Sequence, residues 1–190
     1  MGKVIAGMAI SLDGFVNDSG GSVDKLYADF DELHEVPSFK KSIEDTGAVI
    51  MGRRTYEMAD PFEWINDDYE FQVPIFVLTH TPPEKYPEGN GKLSLTFVTE
   101  GIEAAVSRAK TAAGGKDVQV IGASTVQQCL NAGLCDELSV DIMPVLLGKG
   151  LRLFENIDTD KIQLERMSLE ETTPMRTGMV FKVTKIHSES

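Results

Sequence analysis

Short apolar runs that stop at a glycine or a polar residue constrain the fold of this chain most. Val4–Ile10 is almost wholly apolar, and Ala48–Met51, Pro74–Leu78 and Val118–Ile121 are similar. Strands that are apolar throughout are typical of a sheet covered by helices on both faces. Because the runs alternate with helix-like segments, they predict an α/β fold with a mostly parallel sheet.

The segments between and after these runs complete the expected architecture. Asp24–Asp45 has apolar residues near helical spacing, and Pro37 divides it into two helices. Ile102–Ala113 has the pattern of an amphipathic helix. Ile162–Glu171 and Gly178–Lys185 alternate apolar and polar residues, which predicts an antiparallel hairpin at the sheet edge.

Composition limits the classes of protein to which the chain can belong. With 190 residues, 42% of them hydrophobic, we expect a single domain over residues 1–190. A net charge of -12 argues against nucleic-acid and anionic-membrane partners, and no apolar run is long enough to span a bilayer. Cys129 and Cys135 lie in apolar surroundings without a metal-ligand pattern, so we expect reduced thiols, no metal site and a cytoplasmic location.

The segment Val49–Glu57 is the first candidate binding site. Its apolar run ends at Gly52 and continues as Arg53, Arg54 and Thr55 in a helix-compatible stretch. A glycine lets a ligand approach the backbone, the first N-H groups of a helix are unpaired, and guanidinium groups match phosphate oxygens. The junction therefore indicates a phosphate site, with an ordinary strand-turn-helix bearing solvated arginines as the alternative.

A second junction of this kind follows the strand Val118–Ile121. Gly122 and Ala123 precede Ser124 and Thr125, whose hydroxyls and backbone N-H groups can hold another phosphate. The same residues are also common as simple helix caps, so the second junction alone is weak evidence.

Carboxylates supply the remaining polar chemistry. Asp13 follows the first strand and precedes Gly14, where it is either a turn residue or a functional group. A second set of carboxylates is interpreted as the solvated face of a helix, although one of them could point into a cleft. The set consists of Asp29, Asp31, Glu32 and Glu35.

Aromatic residues crowd the stretch after the first junction. Phe62, Trp64, Tyr69 and Phe71 either line a pocket for a flat ligand or close the edge of the core, and the second reading is the simpler one. His80, at the end of the strand Pro74–Leu78, is by default a surface residue.

Five segments, in this order, resemble the dihydrofolate-reductase-like superfamily: Ile10–Gly14, Val49–Glu57, Ile121–Ser124, Leu134–Leu138 and Pro144–Phe154. They are most similar to stand-alone relatives of the reductase domain of the bifunctional riboflavin-biosynthesis deaminase-reductase. The resemblance covers nearly the whole chain. The Cys and His zinc ligands of the deaminase half do not occur in this sequence.

The resemblance implies a three-layer fold around a mixed sheet of about eight strands, with NADPH across the carboxyl ends of the central strands. It places Gly52, Arg53 and Thr55 at the cofactor, with Arg53, and Arg54 as a further candidate, near the 2'-phosphate. It also assigns Thr79 and His80 to the adenosine end.

The second junction and Asp13 receive roles in the same way. Gly122, Ala123, Ser124 and Thr125 would lie under the pyrophosphate and nicotinamide, and Asp13 beside the nicotinamide and substrate, where we expect it to act as the catalytic residue. The family's usual pair of glycines is here Gly122-Ala123. The acidic residue that binds the pterin in folate reductases cannot be chosen among Asp31, Glu32 and Glu35.

The resemblance therefore implies an NADPH-dependent reductase that transfers hydride to a small heterocyclic or carbonyl substrate, like 5-amino-6-(5-phosphoribosylamino)uracil reductase. The alternatives are a dihydrofolate reductase and a non-catalytic, dimeric NADPH-binding protein. We also expect a homodimer, because Leu138–Leu147 combines an apolar strand with a glycine-flanked loop near a sheet edge.

Overall fold

A computed structural model describes residues 2–60 and 69–185. Its centre is an eight-stranded sheet with the strand order β4-β3-β2-β5-β1-β6-β8-β7. The strands are β1 (Val4–Ser11), β2 (Thr46–Gly52), β3 (Ile75–Leu78), β4 (Leu95–Val98), β5 (Asp117–Ile121), β6 (Glu137–Met143), β7 (Ile162–Thr173) and β8 (Arg176–Lys185).

The strands β1 to β6 pair in parallel, and β8 pairs antiparallel with both β6 and β7. The mostly parallel sheet and its antiparallel C-terminal hairpin are therefore confirmed. The hairpin is longer than predicted, since β7 and β8 continue to Thr173 and Arg176.

Five α-helices flank the sheet in the described part of the chain: α1 (Phe30–Leu33), α2 (Pro37–Asp45), α3 (Arg53–Tyr56), α4 (Ile102–Ala112) and α5 (Ala123–Asn131). Two 3-10 turns lie at Asp24–Leu26 and Thr159–Lys161. Pro37 occupies the first turn of α2, where its missing N-H costs nothing. Pro37 therefore divides the segment 24–45 as predicted.

The two faces of the sheet differ in what covers them. Val4 and Ala6 of β1 are fully buried and pack in the main core with residues of α4 and α5, such as Val106 and Val126. The alternate residues of β1, including Gly7 and Ala9, line a large cleft on the other face. The prediction that helices pack on both faces of β1 is thus wrong for one face, which is the floor of a cleft.

The strand β6 lies inside the sheet, between β1 and β8. The expectation that Leu138–Leu147 runs near an uncovered sheet edge is wrong, because β8 folds back and pairs with β6. The homodimer stays a prediction, and its structural basis must lie elsewhere.

Candidate active site

The two strand-glycine-helix junctions lie side by side. The strands β2 and β5 are neighbours, and Met51 is paired with Ile121, so Gly52 and Gly122 follow at the same level of the sheet. The helices α3 and α5 begin directly after these glycines. Residues that are far apart in the sequence thus form one polar edge at the carboxyl ends of the central strands.

Each glycine faces a hydroxyl of the opposite junction. A methyl group on Gly52 would lie 2.8 Å from Oγ1 of Thr125, and one on Gly122 would lie 2.6 Å from Oγ1 of Thr55. Gly122 also has a φ of 91°, which L side chains rarely adopt. The junctions therefore interlock, and any residue larger than glycine would push a threonine out of place.

The second residue of the predicted Gly-Ala pair fits this arrangement without strain. Ala123 is the first residue of α5 and is buried against the core. Ser124 is exposed, and its Oγ accepts a hydrogen bond from Nε2 of Gln128 at 3.2 Å.

The first arginine lies beside the loop after β3. Nη1 of Arg53 donates to the carbonyl oxygen of Thr81 at 3.2 Å, and its Nε pairs with Glu57 at 2.6 Å. Thr79 is buried, with its Oγ1 3.1 Å from the same carbonyl oxygen, and His80 is exposed. The structure thus brings Arg53 together with Thr79 and the adjoining His80.

The second arginine points elsewhere. Arg54 lines the large cleft, next to Thr55. Within the described residues it forms no ion pair, so its charge is available to a ligand at this end of the cleft. The two consecutive arginines therefore lie in different regions, Arg53 beside the loop after β3 and Arg54 in the cleft.

The cleft has a volume of about 1390 Å³ and lies over β5, β1, β6 and β8. Five of the described aromatic residues line it, three from the segments around α1 and α2 and two from the chain just before β3. They are Tyr27, Phe30, Phe39, Tyr69 and Phe71. Tyr69 and Phe71 line the cleft, and Phe71 packs in the core with Tyr69 against it, so both predicted alternatives apply to these two residues. Phe62 and Trp64 lie outside the described residues.

Charged groups around the cleft are mostly acidic. The described lining includes seven carboxylates, Asp18, Asp45, Glu70, Asp117, Glu137, Asp141 and Glu170, and four cationic side chains, Lys3, Lys41, Arg54 and Arg176. Lys3 pairs with Glu137 at 2.6 Å, and Lys41 with Asp45 at 2.7 Å. With seven carboxylates to four cations, the described lining has an excess of negative charge.

Asp13 is held by groups of its own chain. Its carboxylate accepts hydrogen bonds from Oγ of Ser11 at 2.6 Å and from the backbone N-H groups of Leu147 and Gly148 at 3.1 and 2.7 Å. The Ser11 hydroxyl and these N-H groups lower the pKa of Asp13 to about 2. An acid of this strength is ionised at neutral pH, so the geometry gives no support to a proton relay through Asp13.

The same carboxylate ties the end of β1 to the loop after β6. Asp13 is not among the residues that line the cleft. A contact between Asp13 and a substrate stays a prediction, whereas its role in fixing the loop is explicit in the structure.

A buried ion pair joins the segment before α1 to the hairpin. The Asp29 side chain is fully buried, and Arg176 is 1% exposed. Nε and Nη2 of Arg176 donate to the two carboxylate oxygens of Asp29 at 3.1 and 2.6 Å, and Nη2 also donates to the carbonyl oxygen of Leu26. Oγ1 of Thr173 donates to Asp29 as well. Burial alone would raise the pKa of Asp29, but the hydrogen bonds from Arg176 and Thr173 outweigh it and lower the pKa.

The remaining nitrogen of this guanidinium reaches a second carboxylate. Nη1 of Arg176 donates to Oδ2 of Asp141 at 3.1 Å. Asp141 lies on β6 and lines the cleft, and burial raises its pKa, against the opposing effect of Arg176. The two carboxylates that share Arg176 therefore have pKa values shifted in opposite directions.

Sequence reasoning missed this network. The predicted solvated acidic face does not include Asp29: it is the one member of that set that points inward, where it pairs with Arg176 and does not line the cleft. The available signal was Asp141, a single carboxylate inside the apolar run of β6. A charge in a strand with buried neighbours requires a partner, and Arg176 is that partner.

The other acidic residues of the first helical segment do not face the cleft. Asp31, Glu32 and Glu35 are exposed, and Glu35 pairs with Lys40 at 2.7 Å. None of the three belongs to the cleft lining. The structure therefore provides no pterin-binding carboxylate at these positions.

Other candidate features are limited to the described residues. Within them, no cluster of three or more His, Cys, Asp or Glu residues could hold a metal ion. Cys129 and Cys135 are buried free thiols, as predicted. In the same part of the chain, every helix is too short or too polar to cross a membrane.

The sheet and its C-terminal hairpin define a dihydrofolate-reductase-like α/β fold. Dihydrofolate reductase from Enterococcus faecalis, complexed with NADP(H) and RAB-propyl, has the same fold with a TM-score of 0.60 at 16% identity, covering 95% of this chain and 96% of that one. A deaminase/5-amino-6-(5-phosphoribosylamino)uracil reductase from Thermotoga maritima matches with a TM-score of 0.64 at 14% identity, covering 95% of this chain and 56% of that one.

The chain belongs to the RibD C-terminal domain family, whose model matches residues 2–181. The uncharacterized protein YyaP of Bacillus subtilis is 27% identical over 94% of this chain and 92% of its own length. A putative riboflavin biosynthesis protein from Shewanella sp. PV-4 has a TM-score of 0.73 at 26% identity, covering 96% of this chain and 99% of that one. The predicted relationship to the C-terminal domain of the riboflavin-biosynthesis protein is thus confirmed.

Proposed function

We propose that this protein is an NADPH-dependent reductase that transfers a hydride to a small heterocyclic or carbonyl substrate, in the manner of 5-amino-6-(5-phosphoribosylamino)uracil reductase. The observation that carries the proposal is the pair of interlocked junctions, Gly52 with Thr125 and Gly122 with Thr55, at the end of a large aromatic-lined cleft. Two similar structures add support: the Thermotoga protein is named as a 5-amino-6-(5-phosphoribosylamino)uracil reductase, and the Enterococcus enzyme is complexed with NADP(H).

The residues at the junctions fit a dinucleotide. Gly52 and Gly122 let the two junctions lie against each other, with the hydroxyls of Thr125 and Thr55 beside them, and the N-terminus of α5 offers unpaired N-H groups to a pyrophosphate. Thr55 and Thr125 add hydroxyls, and Arg53 beside Thr81 is suited to the 2'-phosphate. When bound, NADPH supplies the hydride.

The rest of the cleft would bind and orient the substrate. Its floor at β1 is made of small residues such as Gly7 and Ala9, and the aromatic side chains of Tyr27 and Phe39 lie around it. A flat substrate in such a site is shielded from water and held in a defined orientation. The volume is sufficient for both the nicotinamide ring and a small substrate.

The experiment is a titration of the purified protein with NADPH and NADH, followed by a screen of carbonyl and heterocyclic compounds, dihydrofolate among them, for NADPH consumption at 340 nm. Mass spectrometry of copurifying small molecules narrows the screen. Consumption with a heterocycle or carbonyl compound is the expected result. NADPH binding without consumption would favour a non-catalytic binding protein, and absence of binding would overturn the proposal.

The location of the protein is a separate proposal. We place it in the cytoplasm because Cys129 and Cys135 are buried free thiols in a family of biosynthetic reductases. Fractionation of cells that express the tagged chain tests this directly.

A further inference from the structure

The strand β6 carries a carboxylate, Asp141, that lies outside the two glycine junctions. Asp141 is paired with Ala9 of β1 on one side and with Gly178 of β8 on the other. All three residues face the cleft. Asp141 is therefore a charged group on the floor of the site, at the level where β1 ends.

The position of Asp141 relative to the cofactor junction follows from the sheet. Gly122 follows β5, and its backbone N-H lies 3.1 Å from the sulfur of Met8, the residue before Ala9 in β1. β6 is the next strand after β1, so Asp141 lies two strand spacings, about 10 Å, from Gly122. One flat substrate ring fits between a group bound at Gly122 and the Asp141 carboxylate.

One oxygen of Asp141 is committed and the other is available. Oδ2 accepts the hydrogen bond from Nη1 of Arg176 at 3.1 Å. Among the described residues none donates to Oδ1, which lies over Gly178, 3.0 Å from where a Cβ on that residue would be. Gly178 leaves room for this oxygen and for Oγ1 of Thr172, which lies 2.7 Å from the same Cβ position, and the Asp141 side chain as a whole is 28% exposed.

The charge of the network is the second observation. Asp29 takes two nitrogens of Arg176 and Asp141 takes the third, so one cation serves two carboxylates. Asp29 and Arg176 are nearly inaccessible, which fixes the guanidinium and, through it, the orientation of Asp141. A donor from a ligand at Asp141 would add to the single positive charge that the two carboxylates share.

We propose that Asp141, oriented by the buried Arg176-Asp29 pair, is a substrate-binding carboxylate, and that the substrate presents an N-H donor group, such as an amino-heterocycle or an amidine, to Oδ1. The inference rests on the proposed reductase function and specifies the class of its substrate. An anionic group on the substrate must avoid this part of the cleft and lie near Arg54, the cation at the opposite end.

The groups around Asp141 agree with this assignment. Arg176 of β8 faces it with a positive charge, Asp29 before α1 and Glu170 of β7 face it with negative charges, and Tyr27 packs nearby. Burial and the two negative neighbours keep the pKa of Asp141 above its ordinary value. A bound N-H donor would lower that pKa again, so donor binding should strengthen as the carboxyl ionises with rising pH.

The test compares two flat probes of similar shape and opposite hydrogen-bonding character, benzamidine and benzoate, by NMR titration of the protein saturated with NADPH. We expect benzamidine to shift the signals of Ala9, Asp141 and Gly178 and to bind roughly 10- to 100-fold more tightly than benzoate, as a charge-assisted hydrogen bond implies. Asp141→Asn keeps the shape of the side chain and should abolish this preference.

The matched control is Asp45→Asn, which removes one negative charge from the same cleft on α2. The control should retain the preference, and thermal melts of both variants establish that they are folded. Tighter binding of benzoate, or an unchanged benzamidine preference in Asp141→Asn, would overturn the inference. NADPH saturation is measured first, so a failure of the reductase proposal appears as absent NADPH binding and is distinct from a failure at Asp141.

Discussion

A methyl group on Gly122 would lie 2.6 Å from Oγ1 of Thr55, so the second junction can close only while residue 122 is glycine. We expect Gly122→Ala to destabilise the protein by about 1–3 kcal/mol, because alanine would occupy a left-handed conformation and clash as well. Displacement of Thr55 should also weaken NADPH binding by roughly tenfold or more. Thermal unfolding and a fluorescence titration measure the two effects.

Gly114→Ala is the matched control for this substitution. Gly114 also has a positive φ, 61°, but a Cβ there meets no atom within 4 Å. The control should lose stability through backbone strain alone and bind NADPH normally. Equal loss of NADPH affinity in both variants would contradict the role of the Gly122-Thr55 contact.

Arg53 should determine the preference for NADPH over NADH. Arg53→Gln removes the cation beside Thr81 and is expected to weaken NADPH binding by roughly one to two decades while leaving NADH binding nearly unchanged, because NADH lacks the 2'-phosphate. The matched control is Arg108→Gln, which makes the same charge change at an exposed arginine on α4 that pairs with Glu100. Equal dissociation constants for both cofactors in the parent protein would eliminate the assignment.

The two carboxylates that share Arg176 should respond oppositely to neutralisation. Asp29→Asn removes one partner of a fully buried ion pair and should cost about 3–5 kcal/mol at neutral pH. Asp141→Asn should be neutral or stabilising by up to about 1 kcal/mol, because burial already disfavours the charged form of this group. Urea unfolding of each variant gives the comparison.

The pH dependence of these two variants has opposite signs. The lowered pKa of Asp29 stabilises the fold above the unfolded carboxyl pKa of about 4, and this contribution is lost as the pH falls through the lowered value. The raised pKa of Asp141 contributes stability below about pH 4, which is lost as the pH rises through the raised value. The free energy of unfolding of Asp29→Asn should therefore approach that of the parent protein in acid. The free energy of unfolding of Asp141→Asn should increase relative to that of the parent protein as the pH rises.

Asp13→Asn should loosen the loop after β6. Asparagine retains one acceptor and turns a donor towards the N-H groups of Leu147 and Gly148, so amide exchange of both residues should accelerate. NADPH affinity should stay within about threefold of the parent value. The parent carboxyl should titrate near pH 2 by carbon NMR. Turnover should fall by roughly 10²- to 10⁴-fold if Asp13 is the catalytic residue that the resemblance implies, and unchanged turnover would remove that role.

The predicted homodimer now has a different candidate surface. The edge strand β7 exposes Leu164, Met167 and Leu169, and its register places Leu164 opposite Val183 and Leu169 opposite Met179. A long edge strand with exposed apolar side chains favours pairing with a second copy. Light scattering should give twice the monomer mass at micromolar concentration, and Leu169→Lys should shift it to monomer. A monomeric parent protein would remove the claim.

Local patterns were sufficient to predict the elements and the class of fold. The apolar runs of β1, β2 and β5 identify buried strands, since a strand apolar at every position suits a parallel sheet. Pro37 marks a helix start, and the alternation in β7 and β8 predicts a hairpin. These signals depend on residues that are close in the chain, and the sequence carries them explicitly.

Only the tertiary structure determined which of these elements meet. Strand order puts Gly52 next to Gly122, encloses β6 between β1 and β8, and brings Asp29 to Arg176, 147 residues away in the sequence. Contacts of this kind depend on non-local pairing and on the charge balance of a buried site, and neither has a local periodicity. The sequence by itself therefore indicated the two glycine junctions at which we propose that the cofactor binds, whereas the carboxylate that we propose for the substrate emerged only from the folded sheet.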